Sequence, residues 1–488
     1  MLTTQPAIVY FPPGKYVVTA TLQMAFYTFI HGNPLCVPEI LWSGLGAAIG
    51  GPKSCNLCEH TNDFFYGVTD VNIVSAATSK TVDDCLVHWP VSQGTYLRGV
   101  ALDVGSGHQG IFGEAGSGGL IADVSIKNGD YGMVFGNQQW TFRDVSITGC
   151  RITGIQILWN WVFTFVGLTI TNTPIAITWP KGAASLILLD SKFEDVPQVI
   201  SEGVPGNGFF LFERVSTANV KEMLDNHTAV PFYYSWRQGP ALEVGKPLPN
   251  ISGELPATSR ASTPLVGRPR PHFGMKGVMP VSVMVFGAKG DGVTDDSAAL
   301  QQAVDAHPEV FLPHGVYLIG KTITLTATTS LLGEGYSVIK ASAANPLFAK
   351  NISDTAEPTP LLTMPVGASV KLVDLTIMAS GDIPGCLLVD WKGGDESGMW
   401  DVMYRVEHTV WGQLRLTGTA AGYFENCWLW VADHIFDTGA EINVTSPRGI
   451  LLQSSGKVVM MGVAAEHSSD YQYFLEGAQV CHSLPGPT

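Results

Sequence analysis

One short unit occurs twice in this chain, and that repeat limits what the chain can become. Ile8-Val9-Tyr10-Phe11-Pro12-Pro13-Gly14-Lys15-Tyr16-Val17-Val18 matches Val310-Phe311-Leu312-Pro313-His314-Gly315-Val316-Tyr317-Leu318-Ile319. Each copy is an apolar run ended by proline, a glycine turn, and a second short run containing tyrosine. Two copies of a strand–Pro–Gly–Tyr unit imply two stacks of short strands. Ahead of the second copy, FGAKGDGVTDDSAALQQAVDA (286–306) supplies a glycine-rich turn and one helix. Gly287, Gly290 and Gly292 fit a tight loop that needs positive φ. Thr294-Asp295-Asp296-Ser297 reads as the helix start, and Ala298, Leu300, Ala303 and Val304 as its apolar stripe. Such a helix closes the open end of a strand stack. The first copy lacks both the glycine turn and the helix, so the chain is expected to start inside a module.

The rest of the chain continues the pattern. Longer alternating strands at 120–126, 141–147 and 163–170 exchange with three-residue runs at 155–157 and 175–177. That is the habit of a parallel β-helix, in which each coil lends one set of residues to a narrow core. Asn128, Gly129, Gly136, Asn137 and Asn172 fit left-handed turn positions. The expected organisation is a first module at 1–236, a proline-rich extended linker at 237–280, and a second module at 281–488.

Several longer segments resemble the fungal exo-β-1,3-glucanases of glycoside hydrolase family 55. They are YFPPGKY near the start, QGIFGEAGSGGLIADVSIKNGDYGMVFGNQQWTFRDVSI (109–147), WNWVFTFVGLTI (159–170) and FGAKGDGVTDD (286–296). They continue with GMWDVMYRV (398–406), YFENCWLWVADH (423–434) and VAAEHSSDYQY (463–473). The resemblance implies an all-β fold of two tandem right-handed, pectate-lyase-like β-helices lying side by side. It also implies further rungs beyond the last residue, no cofactor, a monomer, and an extracellular location. Met1-Leu2-Thr3-Thr4-Gln5-Pro6 shows no signal peptide.

Cleaving a glycosidic bond needs a carboxylic acid to protonate the departing oxygen. An inverting enzyme also orients a water on the opposite face. Glu466 matches the family's candidate general acid, and the resemblance implies that Gln138 and Gln139 reach the cleft and position water. For each glutamine a structural amide ladder is the competing reading. Flat aromatic faces suit sugars, which makes Trp140, Trp161, Trp400 and Trp430 candidate substrate contacts, with Trp159 and Trp428 beside them. His467, Tyr471, Tyr473 and Glu441 complete the expected binding set. Glu114 reads as a turn residue, and Asp401, Arg405, Asp433 and His434 as buried networks.

Composition narrows the partner. A net charge of −15 disfavours nucleic acid and anionic membranes, repels acidic pectins and suits a neutral β-1,3-glucan. No apolar run is long enough to span a bilayer. The lone Cys55–Cys58 pair of a CxxC has no second half, so no metal site is expected. Cys36, Cys55, Cys58 and Cys85 are available for pairing in an exported protein, whereas Cys150, Cys386 and Cys427 lie in apolar strand patterns. A polygalacturonase should show paired aspartates in an Asn-Thr-Asp setting, and a pectate lyase a cluster of calcium carboxylates; neither occurs. An inactive polysaccharide-binding β-helix is the alternative outside enzymes, and Gln453, where the family often carries glutamate, speaks for it.

Overall fold

The computed structural model describes residues 5–51, 62–76, 81, 84–179, 184–201, 209–243, 246–254, 264–265, 267–272, 279–351, 356–379, 381–435, 440–477 and 481–483. The chain is all-β, a solenoid of parallel strands, and it divides into compact units at Ala7–Gly267 and Arg268–Thr488. No helix among the described residues is long and apolar enough to cross a membrane.

In the unit Ala7–Gly267 most strands pair in parallel with their counterparts one coil on. Ala7–Phe11 pairs with Thr28–Gly32, which pairs with Tyr66–Thr69, then Tyr96–Arg98 and Leu120–Asn128, all parallel. Tyr131–Thr148, Thr153–Val166, Ser185–Leu189 and Phe210–Ala218 carry the column on. Inward residues such as Ile121, Phe142, Phe165, Leu188 and Phe212 form one continuous core. Among the strong inner contacts, Phe142 and Phe165 stack at 4.3 Å.

The corner of the coil is a single residue in the left-handed region. Asp70, Asp123, Asp144 and Asp190 occupy it at φ between 51° and 55°, and Gly99 and Gly167 take the same place on intervening rungs. Aspartate tolerates this conformation because its short side chain bonds locally. Arg143, fully buried, ties two successive corners, with Asp123 at 2.6 Å and Asp144 at 2.6 Å. Asn128 and Asn172 are left-handed as expected. Gly136 and Asn137 are not: they lie within the strand Tyr131–Thr148. Asn137 faces inward, where its amide donates to Val91 O at 3.2 Å and Ala115 O at 3.1 Å.

The segment expected to be a proline-rich extended linker begins with paired strands. Phe232–Glu243 and Lys246–Glu254 form an antiparallel hairpin, and the first of these strands pairs antiparallel with Phe210–Ala218. Non-periodic, proline-rich sequence hid these strands, whose prolines sit at 240, 247 and 249.

The unit Arg268–Thr488 stacks in the same way. One column runs Glu309–Leu312, Ser330–Ala341, Lys371–Ala379 and Gly398–Val406; another runs Thr359–Thr363, Ile383–Trp391, Val410–Gly418, Arg448–Ser454 and Tyr471–Leu475. The helix Ser297–Ala306 packs Leu300, Ala303 and Val304 onto Val283 and Val310. Ala298 is exposed and Ala299 takes its place in the buried face. Asp296 precedes the helix but does not cap it through its side chain. Its carboxylate instead accepts the N–H groups of Lys289 (2.7 Å) and Gly290 (3.0 Å), closing the glycine loop. Gly287, Gly290 and Gly292 all have positive φ.

The sequence repeat is reproduced at the level of atoms. Tyr16 donates its hydroxyl to Pro12 O at 2.8 Å, and Tyr317 donates to Pro313 O at 2.7 Å. In both units the tyrosine clamps the proline–glycine turn that joins two strands of one coil.

Candidate active site

Glu466 ends the short strand Ala464–Glu466, which pairs in parallel with Trp428–Val431; Trp430 lies opposite Glu466, and Arg405 opposite Trp430 on the rung before. Strand alternation sends Leu429, Val431, Tyr404 and Ala465 into the core. Trp428, Trp430, Arg405 and Glu466 therefore share the other face. The Trp428 indole N–H donates to Glu466 Oε2 at 2.9 Å. Trp428 and Trp430 stack at 4.9 Å with 19° between planes. The guanidinium of Arg405 lies 5.8 Å from the Trp430 ring centre and pairs with Glu407 at 2.9 Å.

A second group closes on the same strand end. Asp433 stands between two histidines, with Oδ1 2.7 Å from His434 Nδ1 and Oδ2 3.6 Å from His467 Nε2. The His434 ring meets Trp430 edge-on at 5.1 Å. His467 has φ +63°, a left-handed backbone immediately after Glu466. Behind the strand, Tyr473 donates to Val463 O at 2.8 Å and accepts the Ala465 N–H at 3.0 Å. Burial pushes its phenol pKa up, and the charge of Glu466 adds to the rise. Glu466 is thus fixed from the indole side, and its strand is fixed through the Tyr473 hydroxyl. The Glu466 carboxyl is half-buried beside these indoles. No trio of His, Cys, Asp or Glu among the described residues is arranged to hold a metal ion.

The expected residues divide. Glu466, His467 and Trp430 come together around Trp428 and Asp433, and Glu441 reaches this group through a backbone bridge to His434. Tyr471 packs on Phe474 at 5.3 Å. Gln138, Gln139, Trp140 and Trp161 belong to the unit Ala7–Gly267. Trp140 is a core residue, packed against Phe135 at 5.0 Å, because its parity on the strand points it inward; it offers no face to a sugar. Trp400 and Trp430 are likewise buried. Trp400 donates its indole N–H to Arg268 O at 3.4 Å and leans on Tyr423 at 5.7 Å, so its ring holds the 268–272 segment. Trp430 serves as the floor beneath Trp428. Gln139 is buried and donates its amide to Ser117 O, which is the ladder reading rather than water positioning. Gln138 is partly exposed, and its backbone N–H is held by Asn137 Oδ1 at 2.8 Å.

The charged residues follow the sequence reading in part. Asp401 is fully buried in a network with Arg270 and Asn426. Glu114 is hydrogen-bonded to the His88 ring at 2.9 Å. Asp433 is half exposed. Trp428 as a donor to the candidate acid went unread, although its place two residues before Trp430 puts both on one face.

Cys150, Cys386 and Cys427 are buried, and burial raises their thiol pKa values, that of Cys150 to about 12. Cys36 is exposed and Cys85 buried; Cys55 and Cys58 lie outside the described residues.

The family model described as rhamnogalacturonase A/epimerase, pectate lyase-like, matches residues 2–178 and 280–359, more than half of the chain. The chain belongs to this pectate-lyase-like family. Two fungal relatives of this pectate-lyase-like chain align with it almost end to end. A probable glucan endo-1,3-beta-glucosidase of Arthroderma benhamiae is 27% identical over 98% of this chain and 73% of that protein. A glucan 1,3-beta-glucosidase of Cochliobolus carbonum is 29% identical over 98% of this chain and 69% of that protein. The solved structure of sacteLam55A from Streptomyces sp. SirexAA-E superposes with a TM-score of 0.49 at 19% identity, over 96% of this chain and 72% of that one.

Proposed function

We propose that this protein is a glycoside hydrolase acting on β-1,3-glucan, with Glu466 as the proton donor. The observation that carries the reading is the Glu466 carboxyl, held by the Trp428 indole N–H at 2.9 Å on a wall of stacked tryptophans. Alignment over nearly the whole chain with two proteins named as 1,3-β-glucosidases supports the substrate. The net charge of −15 agrees with a neutral polymer. Release of glucose or short oligosaccharides from the chain end, with inversion, is the finer form of the proposal. In it Gln138, whose partly exposed amide is the freer of the two glutamines, orients the water. An amide takes no proton, so a further acceptor completes the step. Tandem β-helix modules, an extracellular location and a monomeric state belong to the same proposal.

The test is reducing-sugar release from laminarin by the full chain. Glu466→Gln should lower kcat by about 100-fold or more, with the circular dichroism spectrum unchanged. Proton NMR of the first product should show the α-anomer. Full activity in Glu466→Gln refutes the assignment, and a β-anomer refutes inversion.

A further inference from the structure

We propose that the unit Ala7–Gly267 carries a glucan-binding platform of its own, formed by the indoles of Trp159 and Trp161. The proposal rests on the β-1,3-glucan reading above and adds a place where the polymer is held. Trp159 and Trp161 lie two residues apart on the strand Thr153–Val166, so strand alternation puts both on the outer face. They are 36% and 53% exposed, and Leu158 beside them is 36% exposed.

Exposed indoles on a surface usually lie loose, but Trp159 does not. Its N–H donates to Glu114 O at 2.8 Å, on another coil. Its ring lies across Gly136, where an added Cβ would come within 2.5 Å of Trp159 Cδ1. The register slips by one residue between Phe135 and Gly136, and this slip is what sets Gly136 opposite Trp159. Asn160, between the two tryptophans, is turned inward and anchored: it donates to Ser185 O at 2.7 Å and accepts from Ala184 N at 3.1 Å. Gln138 lies between the paired positions Asn137–Asn160 and Gln139–Val162, which sets it across from Trp161.

The chemistry of the patch selects the occupant. Among the described residues at its edge, the Glu114 carboxyl is hydrogen-bonded to the His88 ring at 2.9 Å. Flat aromatic surface with an amide beside it suits a neutral polyol, which offers C–H faces to rings and hydroxyls to amides. A glycine seat and an N–H bond to another coil preset the Trp159 ring, so little ordering cost remains for binding.

The experiment measures laminarin affinity by isothermal titration calorimetry, using the full chain in a Glu466→Gln background. Trp161→Ala should weaken binding about tenfold. Gly136→Val, which keeps both indoles but fills the seat of Trp159, should weaken it similarly with an unchanged circular dichroism spectrum. Added salt should leave the affinity unaltered, and polygalacturonate should not bind. Undiminished affinity in both Trp161→Ala and Gly136→Val overturns the platform, as does equal binding of polygalacturonate. Hydrolysis is scored separately. Activity surviving in Glu466→Gln removes the catalytic assignment and leaves the platform standing, whereas lost affinity in the platform variants cannot come from lost chemistry.

Discussion

Arg270→Ala should cost stability in a way that depends on pH. Arg270 Nε lies 2.9 Å from Asp401 Oδ2, and its Nη2 lies 3.8 Å from Asp374 Oδ2. Asp401 is fully buried and Asp374 is 7% exposed. Both sit at left-handed corners on successive rungs, φ 55° and 58°. Removing the guanidinium leaves two buried carboxylates without their cation, which typically costs about 3–5 kcal/mol. Burial raises the pKa of Asp374 to about 6, with Arg270 opposing and Asp401 adding to the rise. For an acid raised in the folded state, the folded chain binds the proton more tightly than the unfolded one. Stability is then gained as pH falls from about 6 toward 4, and roughly 3 kcal/mol is forgone above that window. A protonated Asp374 has less need of Arg270. The deficit of Arg270→Ala should therefore be largest at pH 7.5 and clearly smaller at pH 4.5. Asp374→Asn in the Arg270→Ala background should recover part of the loss. Urea unfolding followed by tryptophan fluorescence reads this, because Trp400 bonds to Arg268 O, two residues before Arg270. An equal deficit at both pH values, or no deficit at all, would refute the reasoning.

Three further outcomes are expected. Trp428→Phe keeps an aromatic ring but removes the donor to Glu466, and should lower kcat on laminarin about tenfold with little change in melting temperature; a wild-type kcat would show that the indole N–H is idle. Tyr317→Phe and Tyr16→Phe each delete one hydroxyl bond to a turn carbonyl and should each cost about 1 kcal/mol in urea titrations. Of Cys36, Cys150, Cys386 and Cys427, Cys36 alone should react with a disulfide reagent in the folded chain, as the other three are buried thiols; rapid labelling of Cys386 would contradict the packing.

Much of the architecture was readable from local pattern. The proline–glycine–tyrosine unit marks equivalent coils, and the tyrosine hydroxyl bonds show why those residue types recur together. Coil strands at 120–126, 141–147 and 163–170 follow from alternation. What escaped was whatever depends on a partner from another coil. Asp123, Asp144 and Asp190 look like surface charges, yet they turn the backbone and meet Arg143 and Arg214. Asn137 looks like a turn residue, but carbonyls of two earlier coils claim its amide. Trp140 and Trp161 are chemically alike, and only their parity on bent strands separates a core ring from an exposed one. At the candidate site, Glu466 and the Trp428–Trp430 pair were both visible, whereas the bond joining them requires knowing that residues 428 and 464 are stacked.

The one-residue corner has a further consequence. A bend made by a single left-handed residue has no slack, so a coil can gain or lose length there only by breaking the stack. Any variation in coil circumference must be absorbed at the other bends, and those are where this scaffold is free to grow new recognition loops without disturbing the arginine–aspartate spine that keeps its turns aligned.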